Sequence, residues 1–147
     1  MNLLDVNAND WIHLQGDENF DYPIDYWGAV TSARDDGHID LLVRWEPNCY
    51  CHFHKHLVDT TSLVIQGELH VVDMENGQEG ARKVRDVGDY AHKPAGDIHM
   101  ESAGPDGAMV LYNLHAPDGK LFDLLDGDAQ TIMTVTADDI ISGRIGS

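Results

Sequence analysis

Apolar and polar residues alternate along much of this chain in short runs, with the period of a strand and not that of a helix. Gly, Pro, Asn and Asp punctuate the runs. YWGAVTSAR (26–34) and HIDLLVRWEP (38–47) flank Asp35-Asp36-Gly37, turn chemistry that predicts a hairpin. SLVIQGELHVVDM (62–74) carries a break at Gly67, and Asn76-Gly77 marks another turn. ARKVRDV (81–87), DYAHKP (89–94), AMVLYNLHA (108–116) and TIMTVTA (131–137) complete the strand candidates. Helical signals are scarce. After Thr136, Thr-Ala-Asp-Asp reads as an N-cap followed by acidic first-turn residues, and NANDWIHL (7–14) holds one helical turn at most. Many short strands with frequent turns predict an all-β closed barrel or sandwich with a minor helix. A barrel interior also offers the concave pocket that a small-molecule site needs.

Composition narrows this further. A length of 147 residues, 42% of them hydrophobic, fits one domain spanning residues 1–147 with a single core. No fixed-period repeat or linker divides it. No apolar run is long enough to span a bilayer, and MNLLDVNANDWIHL lacks the basic and apolar regions of a signal peptide, so a cytoplasmic protein is expected. The 26 acidic residues outnumber the 9 basic ones for a formal net charge of −17, spread along the chain as a solvated surface. Such a surface repels nucleic acid and anionic lipid, so neither is an expected partner. Cys49 and Cys51 are too far apart on a strand for an unstrained disulfide, and are expected to be buried free thiols.

The candidate chemistry lies in CYCHFHKHLVDTT (49–61). If residues 49–56 form a strand, Tyr50, His52, His54 and His56 share one face while Cys49, Cys51 and Phe53 share the other. Three imidazoles on one face are costly to bury unless their ring nitrogens find partners, and a metal ion is one such partner. GDYAHKPAGDIHMESA (88–103) supplies a further imidazole: Gly88 and Gly96 bracket Pro94, and His99 follows on a turn-rich approach that would hold it rigidly.

These two stretches resemble the two motifs of the cupin superfamily, the RmlC-like barrels. The second motif runs Gly, five residues, Pro-x-Gly, two residues, His; Gly88, Pro94, Gly96 and His99 meet every one of these positions, and only a terminal Asn is replaced, by Ala103. The first runs Gly, five residues, His-x-His, three or four residues, Glu, six residues, Gly. Counting back from Gly67 places the Glu position at Thr60 and selects His54 and His56, with Asn48 standing for the leading Gly. The resemblance therefore implies a cupin (double-stranded β-helix, jelly-roll) barrel and a metal held by His54, His56 and His99. His52 becomes an inward-facing neighbour, and the acid expected at position 60 is missing, with Asp59 beside it.

A three-histidine set resembles the site of the small acetylacetone-cleaving and dihydroxyacetophenone dioxygenases. It implies Fe(II), with zinc or nickel as the alternatives, and oxidative cleavage of a carbon–carbon bond in a diketone or hydroxyaryl ketone. Three protein ligands leave coordination positions for substrate and oxygen. Glu101, two residues past His99 on the same side of a strand, is the candidate catalytic residue, as base or as a group orienting an imidazole. Tyr50, Tyr112 and His115 are further candidates, and Trp27 and Trp45 are large enough to line a pocket. A non-oxidative zinc or nickel cupin (isomerase, lyase or hydrolase) and a non-enzymatic metal- or ligand-binding cupin are the rival readings. The resemblance also implies a homodimer.

Overall fold

The computed structural model describes residues 2–16, 23–75 and 78–143. Among them, ten strands belong to one curled sheet: β1 (Ile12–Gln15), β2 (Asp25–Ala33), β3 (His38–Trp45), β4 (His54–His56), β5 (Thr60–Glu75), β6 (Gln78–Asp86), β7 (Tyr90–Lys93), β8 (Ile98–His115), β9 (Lys120–Leu125) and β10 (Thr131–Thr136). The path runs β1-β2-β3-β8-β4-β9-β10, and β5 pairs with β6, β7 and β8. Every pairing between strands is antiparallel. The alternating pattern predicts an all-β barrel or sandwich, and the curled sheet agrees with the barrel that the cupin resemblance implies. No helix among the described residues is long and apolar enough to cross a membrane.

Two long strands form the spine. β5 and β8 pair from Thr60↔Leu114 to Asp73↔His99, with register shifts on either side of Gly67. The break expected at Gly67 is thus a bend within one strand. A Cβ at Gly67 would lie 2.1 Å from the Gly107 carbonyl oxygen, and one at Gly107 would lie 2.8 Å from that of Trp45. Both glycines have positive φ, 73° and 80°, so the crossing of β3, β5 and β8 requires residues without side chains. Ile39, Leu41, Val43 and Trp45 of β3 pack inward against Leu69 and Val71 of β5 and Val110, Tyr112 and Leu114 of β8. A smaller cluster of Phe53, Val72, Met100 and Leu125 packs separately.

Several expectations are refined or corrected. Residues 49–56 do not form one strand: only His54–His56 does, preceded by isolated bridges from Tyr50 to Ile24 and Ser102. The His54 ring bonds its own chain at the His52 carbonyl, a local bond that competes with a ladder. In consequence Cys51 joins the main core and Phe53 the smaller cluster, so the two do not share a face. Both cysteines are free; Cys51 is buried, Cys49 only half-buried. The helical turn expected within residues 7–14 is a 3-10 turn at Val6–Ala8, capped by Asp5, and strand β1 follows it. β9 was not expected, because Asp123 interrupts its apolar pattern. The Asn76-Gly77 turn lies outside the described residues. The helix after Thr136 is α1 (Ala137–Ile141), with a capping box between Thr136 and Asp139.

Replacing Gly67 by Ala should cost about 3 kcal/mol, combining left-handed strain with the overlap against the Gly107 carbonyl. Gly88, also at positive φ but with nothing within 4 Å of its added Cβ, should tolerate Ala at a cost of about 1 kcal/mol. Urea denaturation of the two variants measures the difference; equal losses would remove the close approach as the cause.

Candidate metal centre

β4 and β8 are paired so that His54 lies directly opposite His99. Side chains two apart on a strand share a face, so His56 follows His54 inward and Glu101 follows His99. All four residues are buried, while Lys55 between the two histidines is half-exposed. One donor atom from each of His54, His56, His99 and Glu101 falls within 4.8 Å of all the others.

The outer nitrogens explain what faces inward. His54 Nδ1 donates to the His52 carbonyl at 2.8 Å, and His99 Nδ1 donates to the Asp97 carboxylate at 2.8 Å. His56 Nδ1 lies 3.0 Å from the Thr60 hydroxyl, whose own proton goes to the Val58 carbonyl at 3.0 Å. Thr60 therefore accepts, and His56 Nδ1 donates. With all three Nδ1 atoms carrying protons, the neutral rings turn bare Nε2 lone pairs toward one another. The His54 and His56 Nε2 atoms lie 3.1 and 3.0 Å from that of His99. Glu101 adds a fourth acceptor: its Oε2 accepts from Tyr112 at 2.6 Å, while Oε1 lies 3.2 Å from His99 Nε2 and 3.5 Å from His54 Nε2.

Four converging acceptors require positive charge between them. Without a metal, protons supply it. Burial disfavours charge on His99, but Glu101 and the hydrogen bond to Asp97 outweigh burial and raise its pKa to about 9. Burial likewise opposes charge on His54, and Cys51 and Glu101 raise it to about 9. His56 falls to about 3 through burial and its two imidazole neighbours. Glu101 stays ionised: its burial is overcome by His99 and by hydrogen bonds to His54 and His99. Burial, followed by the Glu101 charge, raises Tyr112 well above its usual range and keeps it a donor. Imidazole nitrogens with fixed tautomers and a carboxylate suit a divalent transition metal. The residues present fit such an ion.

The fate of the other candidates is mixed. His52 stands outside the four-donor group, with Nδ1 2.8 Å from the Tyr26 hydroxyl. Asp59 accepts from the Ala95 amide on an exposed turn and does not join the site. His115 stacks on His38, and Trp27 stacks on His13, both away from it. Trp45 lines a cavity of about 60 Å³ beside the metal centre, together with Tyr26, Cys51, Tyr112 and Phe122. Tyr50 is half-buried against both core clusters. Cys51, Tyr26 and Phe122 were not identified from sequence. Phe122 packs its ring edge to face with His54 and His56, at centroid distances of 5.6 and 5.3 Å. It lies on the unexpected strand β9, and only alternation along that strand could have pointed to it.

Fold and site together define a cupin with a candidate centre for a divalent metal. Residues 4–117 match the model of the ChrR cupin-like domain, and the chain belongs to that family. Solved structures share the fold at low identity. An acetylacetone dioxygenase from Acinetobacter johnsonii is 11% identical, with a TM-score of 0.64 over 86% of this chain and 80% of that one. A putative acetylacetone dioxygenase from Methylibium petroleiphilum PM1 is 12% identical, with a TM-score of 0.68 over 100% and 95%. An RmlC-like cupin from Ralstonia eutropha JMP134 is 13% identical, with a TM-score of 0.67 over 97% and 85%. None of the curated proteins compared matches the sequence.

Two outcomes follow from the site. Metal binding at neutral pH should release protons held by the His54–His99 pair, so apparent affinity should climb with pH before levelling near pH 9. Calorimetric titration in buffers of different ionisation enthalpy counts those protons; a release near zero at pH 7 would contradict the assignment. Thr60→Val should keep the fold but free the His56 ring, weakening metal binding by about 10- to 100-fold, whereas Thr60→Ser should not. Competition against a chromophoric chelator measures both.

Proposed function

We propose that this protein is a metal-dependent oxygenase that cleaves a carbon–carbon bond next to a carbonyl in a small diketone or hydroxyaryl ketone. The observation that carries the reading is the convergence of three bare imidazole nitrogens and one carboxylate oxygen in a buried group. Fe(II) held there by His54, His56 and His99 would supply Lewis acidity and a place for substrate oxygens and O₂ to meet. An acetylacetone dioxygenase of the same fold supports the substrate class.

The chain's own groups fit an oxygen-bearing substrate. Glu101, ionised beside the metal position, can accept the proton whose loss turns a diketone into its enolate. Tyr112 fixes that carboxylate from behind, leaving Oε1 for the metal or for the proton. Trp45 lines the same cavity, and its buried indole Nε1 has no hydrogen-bond partner among the described residues. An orphaned buried donor costs about 1–3 kcal/mol, and a substrate oxygen would repay it. Phe122, Val43 and Leu124 exclude water around the same cavity. Both atoms of O₂ would end on the two carbon fragments.

Anaerobic reconstitution with Fe(II), followed by oxygen-uptake measurements across diketones and hydroxyaryl ketones, tests the reading. One equivalent of iron, oxygen consumption matched to substrate loss, and the loss of both in His99→Ala are the expected results. Tight zinc or nickel binding with turnover that consumes no oxygen would replace it with a non-oxidative cupin enzyme.

A further inference from the structure

A second cavity of about 60 Å³ adjoins the one at the metal centre, and Tyr26, Val43, Phe122 and Leu124 are walls of both. Its remaining walls come from β1, β2, β3, β10 and α1, and they are apolar: Leu14, Gly28, Leu41 and Ile140 are among them. The only hydroxyl on its lining, that of Tyr26, is already paired with His52 at 2.8 Å. Such an apolar lining favours an apolar group over water. Beside the four acceptors for a metal there is thus an apolar chamber that shares four walls with the metal-side cavity.

We propose that the substrate carries an apolar tail, a short alkyl chain, which lies in this second chamber while its paired oxygens reach the metal. The proposal rests on the metal-centre reading and adds the part of the substrate that the donors do not see. Scaled from a cavity of about 150 Å³ that takes one six-carbon ring, roughly 25 Å³ per carbon, this chamber of about 60 Å³ holds about two methylenes. Gly28 sets part of its width. Its φ is not in the left-handed region, and an added Cβ would meet only Leu14 Cδ1, at an ordinary 3.8 Å. A larger residue at position 28 would therefore fill the chamber without straining the backbone.

The test separates the two readings by using zinc-loaded protein, which binds without turnover, and a series of straight-chain alkyl hydroxamic acids from acetyl upward. Acetohydroxamic acid reports on the metal end alone. Affinity measured by calorimetry should rise about fourfold with each added methylene, then level or fall once the chamber is full. In Gly28→Val the rise should be lost from the first added methylenes. In Ile140→Ala, which enlarges the chamber, the plateau should move to longer chains; this second variant guards against poor folding of the first. Binding of acetohydroxamic acid with affinity independent of chain length would overturn the tail and leave the metal centre standing. Failure of every hydroxamic acid to bind would overturn both.

Discussion

The structure turns on one electrostatic constraint: four hydrogen-bond acceptors are buried together with no donor among them. Each imidazole is locked from behind by a different partner, the His52 carbonyl, the Thr60 hydroxyl and the Asp97 carboxylate. Those three bonds spend the Nδ1 protons outward and leave Nε2 bare inward. A folded chain can tolerate this only by placing positive charge in the centre, as protons on His54 and His99 or as a metal ion in their stead. The raised pKa values of those two rings and the lowered pKa of Glu101 are the same fact seen from two sides.

Thr60 shows how the site accommodates the acid missing from its usual place. Glu at position 60 would carry its carboxylate on β5, beside His56. Thr instead uses its hydroxyl to set the His56 tautomer, and the carboxylate arrives on β8 as Glu101. The site thereby keeps one carboxylate within the four-donor group. A second one in the same buried space would repel the first and demand further compensation.

Much of this was legible in the sequence, and the parts that were not share a cause. Period-two alternation reveals strands, so β2, β3, β5 and β10 stood out, as did the capped helix after Thr136. Spacing of Gly, Pro and His carried His54, His56 and His99, because turn geometry leaves few choices at those positions. Strand β9 was missed because Asp123 disturbs its alternation, and with it went Phe122, whose ring borders both cavities. The strand expected over 49–56 shortened to three residues because a side-chain bond within it displaces the ladder, which put Cys51 on the cavity wall and not opposite it. Glu101 was identified by its two-residue offset from His99. That its carboxylate joins the donor group depends on Tyr112, which no local pattern ties to it.

That last tie leads back to the bend. Glu101 and Tyr112 are eleven residues apart on one strand, a separation that would span roughly 36 Å if β8 ran straight. Their side chains meet at 2.6 Å because β8 bulges and curls at Gly104-Pro105-Asp106-Gly107, where it crosses Gly67 of β5 and the end of β3. Past the same bulge, Val110 and Leu114 enter the core together with Leu69 and Val71. The two glycines therefore do more than let backbones pass. By letting β8 bulge and curl with β5 they bring a phenol from one half of the strand onto a carboxylate of the other, and so tie the hydrophobic core to the orientation of the fourth donor.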